Sequence, residues 1–311
     1  NKEIFDKEKV KYWTPVDIYI GGVEHACMHL IYFRFYTKFL RDLGLLDYDE
    51  PVVRLFNQGM LMGEGGVKMS KSKGNVINPD EVSKKYGMDT ARFFLLSLAT
   101  PDKPRNWSKR GIESCLRFMK KIMNYFGNVK IGRSSNLIKS KVNKTIKEVT
   151  EDIENLDYNL AIIRIRNLFE SFSQEEEKKV LENFLKLLSP FCPHIAEELW
   201  SKLGNKSFIS LERWPKAGKI DEKLLKEEEQ VEKLVEDINN IKKILEGRSE
   251  LKDKREVKIF AIPSELDVYE KAREKIEEGV GLKVSVISIK EAKSTGKVIK
   301  AKPGKPGILV E

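Results

Sequence analysis

Amphipathic helical patterns fill residues 107 to 203 almost completely, and this run constrains the fold more than any other feature of the sequence. Apolar residues recur there three to four positions apart, so each segment has one apolar face. The segments are Ile112 to Phe126, Leu137 to Leu156, Asn159 to Phe172, Glu175 to Leu188 and the shorter Pro193 to Leu203. Because each apolar face must be buried against another element, the pattern predicts a helical bundle.

The residues before this bundle alternate between strand and helix patterns, which is typical of an α/β fold. A short strand is stopped by Gly21-Gly22, and a later helix opens at Asn78-Pro79 with acidic residues in its first turn. The predicted strands are residues 16 to 20 and 56 to 62, and the predicted helices are residues 24 to 43, 78 onward and 89 to 99.

The last ninety residues have a third pattern, which predicts a small α+β module. A long charged helix covers Asp221 to Glu246. It is followed by a strand (residues 256 to 262), a helix (263 to 278) and a second strand (282 to 289). A tail punctuated by Gly and Pro ends the chain and includes residues 297 to 300 and 308 to 310. We therefore expect three domains, at residues 1–105, 106–215 and 216–311.

Composition and charge indicate a soluble, cytoplasmic protein with a polyanionic partner. The 311 residues contain 34% charged residues and carry a net charge of +9, and no run of eighteen apolar residues or signal peptide occurs. Between Met60 and Lys120, twelve Lys and Arg residues face six Asp and Glu residues. A basic concentration of this kind suits phosphate groups, although a solvated surface is the alternative.

Three dispersed cysteines argue against a disulfide framework and against a cysteine-based zinc site. Cys27, Cys115 and Cys192 form no Cys-x-x-Cys pair. His25 and His29 lie one helical turn apart, which could suit a metal, but no third ligand stands at a suitable spacing. We expect reduced, mostly buried thiols and no bound metal.

The sharpest chemical signal is Lys68-Met69-Ser70-Lys71-Ser72, which follows three glycines, Gly63, Gly65 and Gly66. Two lysines three positions apart in a glycine-flanked loop can fold over a triphosphate, because each ammonium offers three donors and a compact positive charge. Such a loop would stabilise charge on a pyrophosphate leaving group. Because such a loop is mobile, it could bring these charges to the site once ATP has bound.

This string is the KMSKS signature of class I aminoacyl-tRNA synthetases, and its surroundings resemble the leucyl-tRNA synthetases. The resemblance is strong over residues 12 to about 126, moderate over 150 to 215 and loose beyond. It is carried by Trp13 to Lys38 (WTPVDIYIGGVEHACMHLIYFRFYTK), Glu50-Pro51, Gln58-Gly59-Met60, Tyr86 to Arg92 and Pro190 to Trp200. The isoleucyl and valyl enzymes share the lysine signature and the bundle, and they remain alternatives.

The resemblance implies roles for individual residues. Lys68 and Lys71 would be catalytic, and His25 and His29 would line the leucine pocket. The residues implied to bind ATP are Gly22, Glu24, Gln58, Gly59, Met60, Leu61, Lys68, Met69, Ser70, Lys71 and Ser72. Mg²⁺ would be carried with ATP. The alternative roles are packing for the two histidines and a helix N-terminal carboxylate for Glu24.

The resemblance also implies that leucine tRNA is a partner. The helical bundle would lie along the inner side of the tRNA, and the C-terminal module would contact its long variable arm. The basic residues suit phosphate contacts rather than base readout, and the candidates are Arg92, Arg105, Arg110 and Arg117. His194 is interpreted as structural.

Parts of a complete enzyme of this family are missing from the sequence. No string of the His-Ile-Gly-His type occurs, and neither the first strand-helix units nor an editing domain is present. The resemblance therefore implies a second partner, the N-terminal part of the synthetase. Whether the chain is a fragment or the smaller of two subunits remains open. A non-catalytic tRNA-binding module is the alternative from another functional class.

Overall fold

The computed structural model describes residues 3–70, 72, 74–247, 255–291 and 300–311. The chain divides into two compact units, Asn1–Gly218 and Lys219–Glu311. None of the described helices is long and apolar enough to cross a membrane.

A parallel strand pair with a helical connection forms the beginning of the first unit. Strand β1 (Val16–Gly22) and strand β2 (Val52–Gln58) pair in parallel, from Val16 opposite Val52 to Gly22 opposite Gln58. Helix α1 (Lys7–Trp13) precedes them. A 3₁₀ turn, a π-helical turn and helix α2 connect them: Val23–His25, Ala26–Leu30 and Ile31–Asp42. The predicted helix over 24 to 43 is therefore regular only in its second half.

The predicted strand over residues 56 to 62 is wrong as one element. It is the end of β2 and a separate short strand β3 (Leu61–Met62), with the break at Gly59 and Met60. Strand β3 pairs in parallel with strand β4 (Arg105–Asn106). Helices α3 (Pro79–Tyr86) and α4 (Met88–Ser97) lie between these two strands in the sequence. Asn78 caps α3, because its side chain accepts the Asp80 N–H.

The predicted helical bundle follows. Its helices are α5 (Lys109–Asn128), α6 (Asn136–Glu154), α7 (Tyr158–Glu170), α8 (Lys178–Leu188) and α9 (Pro193–Lys202). Short strands β5 (Lys130–Ile131) and β6 (Glu175–Glu176) pair beside them. Ile112, Ile165 and Phe184 are fully buried in a core that extends from Val82 to Ile209. Helices α3 and α4 contribute to the same core, so they pack as part of the bundle.

A buried carboxylate links α4 to α9. Asp89 is 4% exposed. It accepts the Ile195 N–H at 2.7 Å, and its other oxygen lies 2.7 Å from His194 Nδ1. Asp89 thus satisfies a free N–H of the first turn of α9 and complements the positive end of the helix dipole.

The second unit is the predicted α+β module. Its elements are α10 (Glu222–Gly247), β7 (Glu256–Ala261), α11 (Leu266–Lys271), α12 (Arg273–Val280), β8 (Lys283–Ser288) and β9 (Gly307–Val310). Strand β7 is central, parallel to β8 and antiparallel to β9. Ile238 of α10 packs in one core with Ile259 and Tyr269. Residues 297–299 of the predicted tail lie outside the described residues.

The strand pair at the beginning of the first unit lacks a buried core of its own. No described Val, Leu, Ile, Met or aromatic side chain before Val82 is fully buried. Large apolar side chains of α2 and of both strands are exposed instead: Ile18, Ile20, Ile31, Tyr32, Phe35, Tyr36, Phe39, Val53 and Leu55. A concentration of exposed large apolar side chains is typical of an interaction surface.

Candidate active site

A cleft opens at the carboxyl ends of β1 and β2, where ligands bind in open α/β sheets. It has a volume of about 420 Å³. Polar groups and apolar groups share its walls: Tyr19, Ile20, Gly21, Gly22, His25, His29, Leu30, Leu55, Asn57 and Gln58. The parallel register thus brings Gln58, which is distant in the sequence, next to Gly22 and the two histidines. Five side chains of the same wall are not among the predicted site residues: Tyr19, Ile20, Leu30, Leu55 and Asn57.

The Glu24 carboxylate, the free end of an exposed side chain, lies over Gly22 in the space that a Cβ atom would enter. A Cβ atom added to Gly22 would lie 2.2 Å from Glu24 Oε2. Glu24 is exposed and lies 3.9 Å from His25 Nε2. The carboxylate is therefore folded back over the end of β1, with acceptor oxygens available to hydroxyl donors. Glu24 is not among the residues that line the cleft.

His29 is held in one orientation by its neighbours. Its Nε2 lies 2.5 Å from the Tyr19 hydroxyl. Its ring is stacked on Phe33, with centroids 5.8 Å apart and an interplanar angle of 12°. The His25 ring lies edge-on to it at 6.2 Å. His29 belongs to the π-helical turn, a distortion that often occurs at functional sites.

The strand break at Gly59 and Met60 is fixed by a second chain segment. The Gly59 N–H donates to the Pro101 carbonyl at 2.7 Å, and the Arg105 N–H donates to the Met60 carbonyl at 3.0 Å. A Cβ atom at Gly59 would lie 2.1 Å from the Lys103 carbonyl oxygen. Only glycine allows this approach, and Leu61 follows directly in β3.

The lysine signature leaves β3 through a tight turn. Gly65 and Gly66 have φ values of 76° and 77°, a backbone conformation that favours glycine. The turn returns the chain so that Met62 and Lys68 pair in antiparallel fashion. Lys68 is exposed and forms no ion pair with a described carboxylate. Lys71, the second predicted catalytic lysine, lies outside the described residues.

Asn75 holds the backbone of the signature loop. Its Oδ1 accepts the Ser70 N–H at 2.9 Å, and its Nδ2 donates to the Lys68 carbonyl at 3.2 Å. The hydroxyls of Ser70 and Ser72 lie 2.7 Å apart, and Met69 is half-buried between the two anchored positions. Asn75 was not among the predicted site residues. Its position directly after Gly74, in the string Lys73-Gly74-Asn75, was the available signal.

The four arginines proposed to contact tRNA have different surroundings. Arg110 and Arg117 are exposed, and Arg92 is exposed with a weak contact to the Pro190 carbonyl at 3.5 Å. Arg105 is half-buried and donates to the Thr100 carbonyl at 3.0 Å and to the Leu95 carbonyl at 3.4 Å. Burial lowers the pKa of Arg105. Its guanidinium therefore stabilises the end of α4.

Metal-ligand side chains are dispersed over the part of the chain that the structure describes. No group of three or more His, Cys, Asp or Glu side chains there could hold a metal ion. Cys27 is exposed, Cys115 and Cys192 are buried, and all three thiols are free. Burial raises the pKa of Cys192 above its ordinary value.

Two family models match this chain. The family model described as tRNA synthetases class I (I, L, M and V) matches residues 3–108, and the model of the anticodon-binding domain of tRNA ligase matches residues 135–259. A leucyl-tRNA synthetase (LeuRS) from Agrobacterium radiobacter K84, solved in a ternary complex with tRNA and LeuAMS, is 35% identical with a TM-score of 0.62. The match covers 69% of this chain and 31% of that chain.

A second solved structure is more distant. It is the methionyl-tRNA synthetase of Mycobacterium tuberculosis in complex with methionyl-adenylate, 18% identical with a TM-score of 0.47. It covers 61% of this chain and 44% of that one. The chain thus spans about a third of the leucyl enzyme and less than half of the methionyl enzyme.

Proposed function

Because the chain belongs to the class I aminoacyl-tRNA synthetases, with a catalytic-domain segment before an anticodon-binding domain, we propose that it is part of a leucyl-tRNA synthetase. It would take part in the ATP-dependent activation of leucine and in leucine transfer to its tRNA, in the cytoplasm. The observation that carries this proposal is the 35% identity to a leucyl enzyme over 69% of the chain.

The proposed binding mode follows the cleft. Glu24 would accept the ribose hydroxyls of ATP, and Gly22 would let them approach the backbone. Residues 58 to 61 would lie along the adenine. His25 and His29 would border the leucine side chain, with the apolar wall of Leu30 and Leu55 opposite. The fixed orientation of the His29 ring supports a role in shaping a pocket.

The proposed reaction needs no nucleophile from the protein. The leucine carboxylate attacks the α-phosphorus of ATP, the new acyl–phosphate bond forms, and pyrophosphate leaves with the bonding electron pair. Mg²⁺ would arrive with ATP as part of the substrate. Lys68 and Lys71 would neutralise charge on the leaving pyrophosphate. Such a cationic contact contributes on the order of 3 kcal/mol to transition-state stabilisation.

The N-terminal part of the synthetase is the proposed second partner. The exposed apolar side chains of β1, β2 and α2 support this proposal, because a parallel sheet is normally covered on both faces. The cleft would then be completed by residues that this chain does not contain.

Leucine-dependent exchange of pyrophosphate into ATP tests the proposal. We expect exchange when this chain is mixed with the N-terminal part and none with the chain alone. In the mixture, Lys68→Ala should reduce exchange on the order of a hundredfold. The matched control Lys84→Ala, at an exposed lysine of α3, should leave exchange unchanged.

Other results would identify the alternatives. Stimulation of exchange by isoleucine or valine instead of leucine would assign the chain to those enzymes. A mixture without exchange that still binds tRNA would favour a non-catalytic tRNA-binding module. Exchange that stays within threefold of wild type in Lys68→Ala, or in Lys71→Ala, would contradict the role of that lysine.

A further inference from the structure

A basic groove lies at the C-terminal end of α5, away from the candidate active site. It has a volume of about 670 Å³. Its walls carry four cationic and three amide side chains: Arg117, Lys120, Lys121, Lys130, Asn124, Asn128 and Gln174. Because α5 has 20 residues, its far end lies about 30 Å from its start beside β4.

The polar side chains of this groove follow one face of α5. Arg117, Lys120, Lys121, Asn124 and Asn128 are spaced by three or four positions, which places them one above another on the helix surface. The opposite face of the helix carries the buried residues of the bundle core. The groove is therefore a continuous polar stripe that Lys130 extends beyond the end of the helix.

Most of the positive charge in this groove is not compensated. Lys121 forms an ion pair with Glu170 and lies over the Phe169 ring. Arg117, Lys120 and Lys130 are exposed and form no ion pair with any described residue. Three free cations around one concavity attract a polyanion, since their positive potentials add.

The floor of the groove is neutral and fixed. The Tyr125 hydroxyl donates to the Ser173 carbonyl at 2.8 Å, and burial raises the pKa of Tyr125, so the phenol stays protonated. Asn128 Nδ2 donates to the Asn124 carbonyl at 2.7 Å. No described carboxylate lines the groove to repel an anion.

We propose that this groove binds the sugar-phosphate backbone of tRNA through Arg117, Lys120 and Lys130. This inference rests on the proposed function and adds a contact surface to it. All of the lining residues except one lie in 117–130, between the stretches matched by the two family models, 3–108 and 135–259. Because its lining residues belong to the second half of α5 and the residues just after it, the groove would contact the tRNA at a site separate from the candidate active site. Phosphate contacts position the RNA without reading its sequence.

The test is the salt dependence of tRNA affinity, measured with the full 311-residue chain. The variant Lys120→Ala/Lys130→Ala should weaken binding on the order of tenfold per lost contact at 50 mM salt. Its slope of log K against log salt concentration should become less steep by about 0.7 to 0.9 for each contact. The matched control Lys147→Ala/Lys179→Ala removes the same charge from exposed positions of the bundle outside the groove and should keep the wild-type slope.

The outcomes separate this inference from the proposed function. Wild-type protein that fails to bind leucine tRNA would contradict the proposed function itself. Wild-type binding with equal slopes for the groove and control variants would overturn the groove alone. Lys120→Arg/Lys130→Arg retains both charges, so it should restore affinity and slope. Failure of this rescue in a variant with unchanged helicity would also overturn the inference.

Discussion

At the scale of single residues, Asn75 has the clearest structural consequence. It bonds the Lys68 carbonyl and the Ser70 N–H, so one amide fixes both backbone positions that flank Met69. The Lys68 ammonium can act on a phosphate only if its backbone is in place. Asn75 is therefore a positioning residue in the proposed reaction, because it would act through Lys68.

We expect Asn75→Ala to reduce kcat/KM for ATP in pyrophosphate exchange by the assembled enzyme by about 30-fold. The reason is the loss of two hydrogen bonds worth about 1 kcal/mol each. Asn75→Asp keeps the acceptor for Ser70 and loses the donor to Lys68, so its effect should be intermediate. The control Asn78→Ala removes the cap of α3 and should lower stability while leaving the KM for ATP unchanged. Equal ATP kinetics for Asn75→Ala and wild type would refute the positioning role.

Glu50 has a pH dependence that can be predicted from its contacts. Arg34 donates two hydrogen bonds to the Glu50 carboxylate, at 2.6 and 2.8 Å. These bonds, with the nearby Arg34 charge and a smaller contribution from Lys38, lower the pKa of Glu50 from 4.5 to about 2. Because the folded-state pKa is the lower one, the stabilisation is present above about pH 4.5 and is lost as the pH falls towards 2.

An NMR titration of the Glu50 carboxyl carbon should therefore show a midpoint near pH 2 in the folded protein. Arg34→Leu should move this midpoint up towards 4.5, and Lys38→Ala should move it less. A midpoint that is the same with and without Arg34 would show that the pair does not persist in solution.

The sequence indicated some of these residues. The contacts that it did not indicate have a common physical cause. Gly22 and Glu24 are two positions apart, so their contact could be anticipated from the chain itself. The contacts of Asn75 and Tyr19 depend on how a loop returns and on which face of β1 meets the π-helical turn. Those relations are set by tertiary packing, which local patterns do not encode.

At the scale of elements, Asp89 connects α4 to α9. Two stretches that carry the family resemblance, at residues 86–92 and 190–200, thus meet in space through Asp89 and the backbone of Ile195. A buried carboxylate that loses its partners, or buried donors that lose the carboxylate, carry a large desolvation cost.

We expect Asp89→Ala to lower the free energy of unfolding by about 3 kcal/mol, since it removes one charge-assisted bond to a backbone N–H and one to His194. Chemical denaturation monitored by circular dichroism would measure this loss. Asp80→Ala removes an exposed carboxylate from the first turn of α3 and should cost much less. A loss for Asp89→Ala no larger than that of the control would contradict the linking role.

Element boundaries were predicted well where local pattern decides them. Serine caps begin α5 at Ser108 and α6 at Ser135, within a few residues of the predicted helix starts. The predicted strand over 56 to 62 failed because Gly59 is pulled against the carbonyl of Lys103, a contact across more than forty residues. The sequence around Gly59 contains no sign of that distant segment beyond the glycine itself.

At the scale of the whole molecule, the predicted fold class is confirmed: a class I synthetase nucleotide-binding segment followed by a helical anticodon-binding domain. The bundle has a complete core, whereas the strand pair before it exposes large apolar side chains on α2 and on both strands. Burial of apolar surface contributes about 25 cal/mol per Å². A segment without that contribution should be less stable than the bundle.

We therefore expect the chain alone to bind a hydrophobic dye and to aggregate on heating, and we expect the N-terminal part of a leucyl enzyme to suppress both effects. The melting temperature should rise on mixing, because a partner that binds only the folded state stabilises it by mass action. Differential scanning calorimetry and light scattering of the chain, the partner and the mixture would measure these changes.

A matched pair of variants locates the surface responsible. Phe35 on α2 is 62% exposed, and Phe208, near the end of the bundle, is 64% exposed. Both therefore expose nearly the same fraction of the same apolar side chain to solvent. Phe35→Ser should weaken association with the N-terminal part and reduce dye binding by the chain alone. Phe208→Ser should change neither. If the two variants behave alike, or if the chain alone is a monodisperse monomer whose melting temperature does not respond to the N-terminal part, the α2 face is not a docking surface.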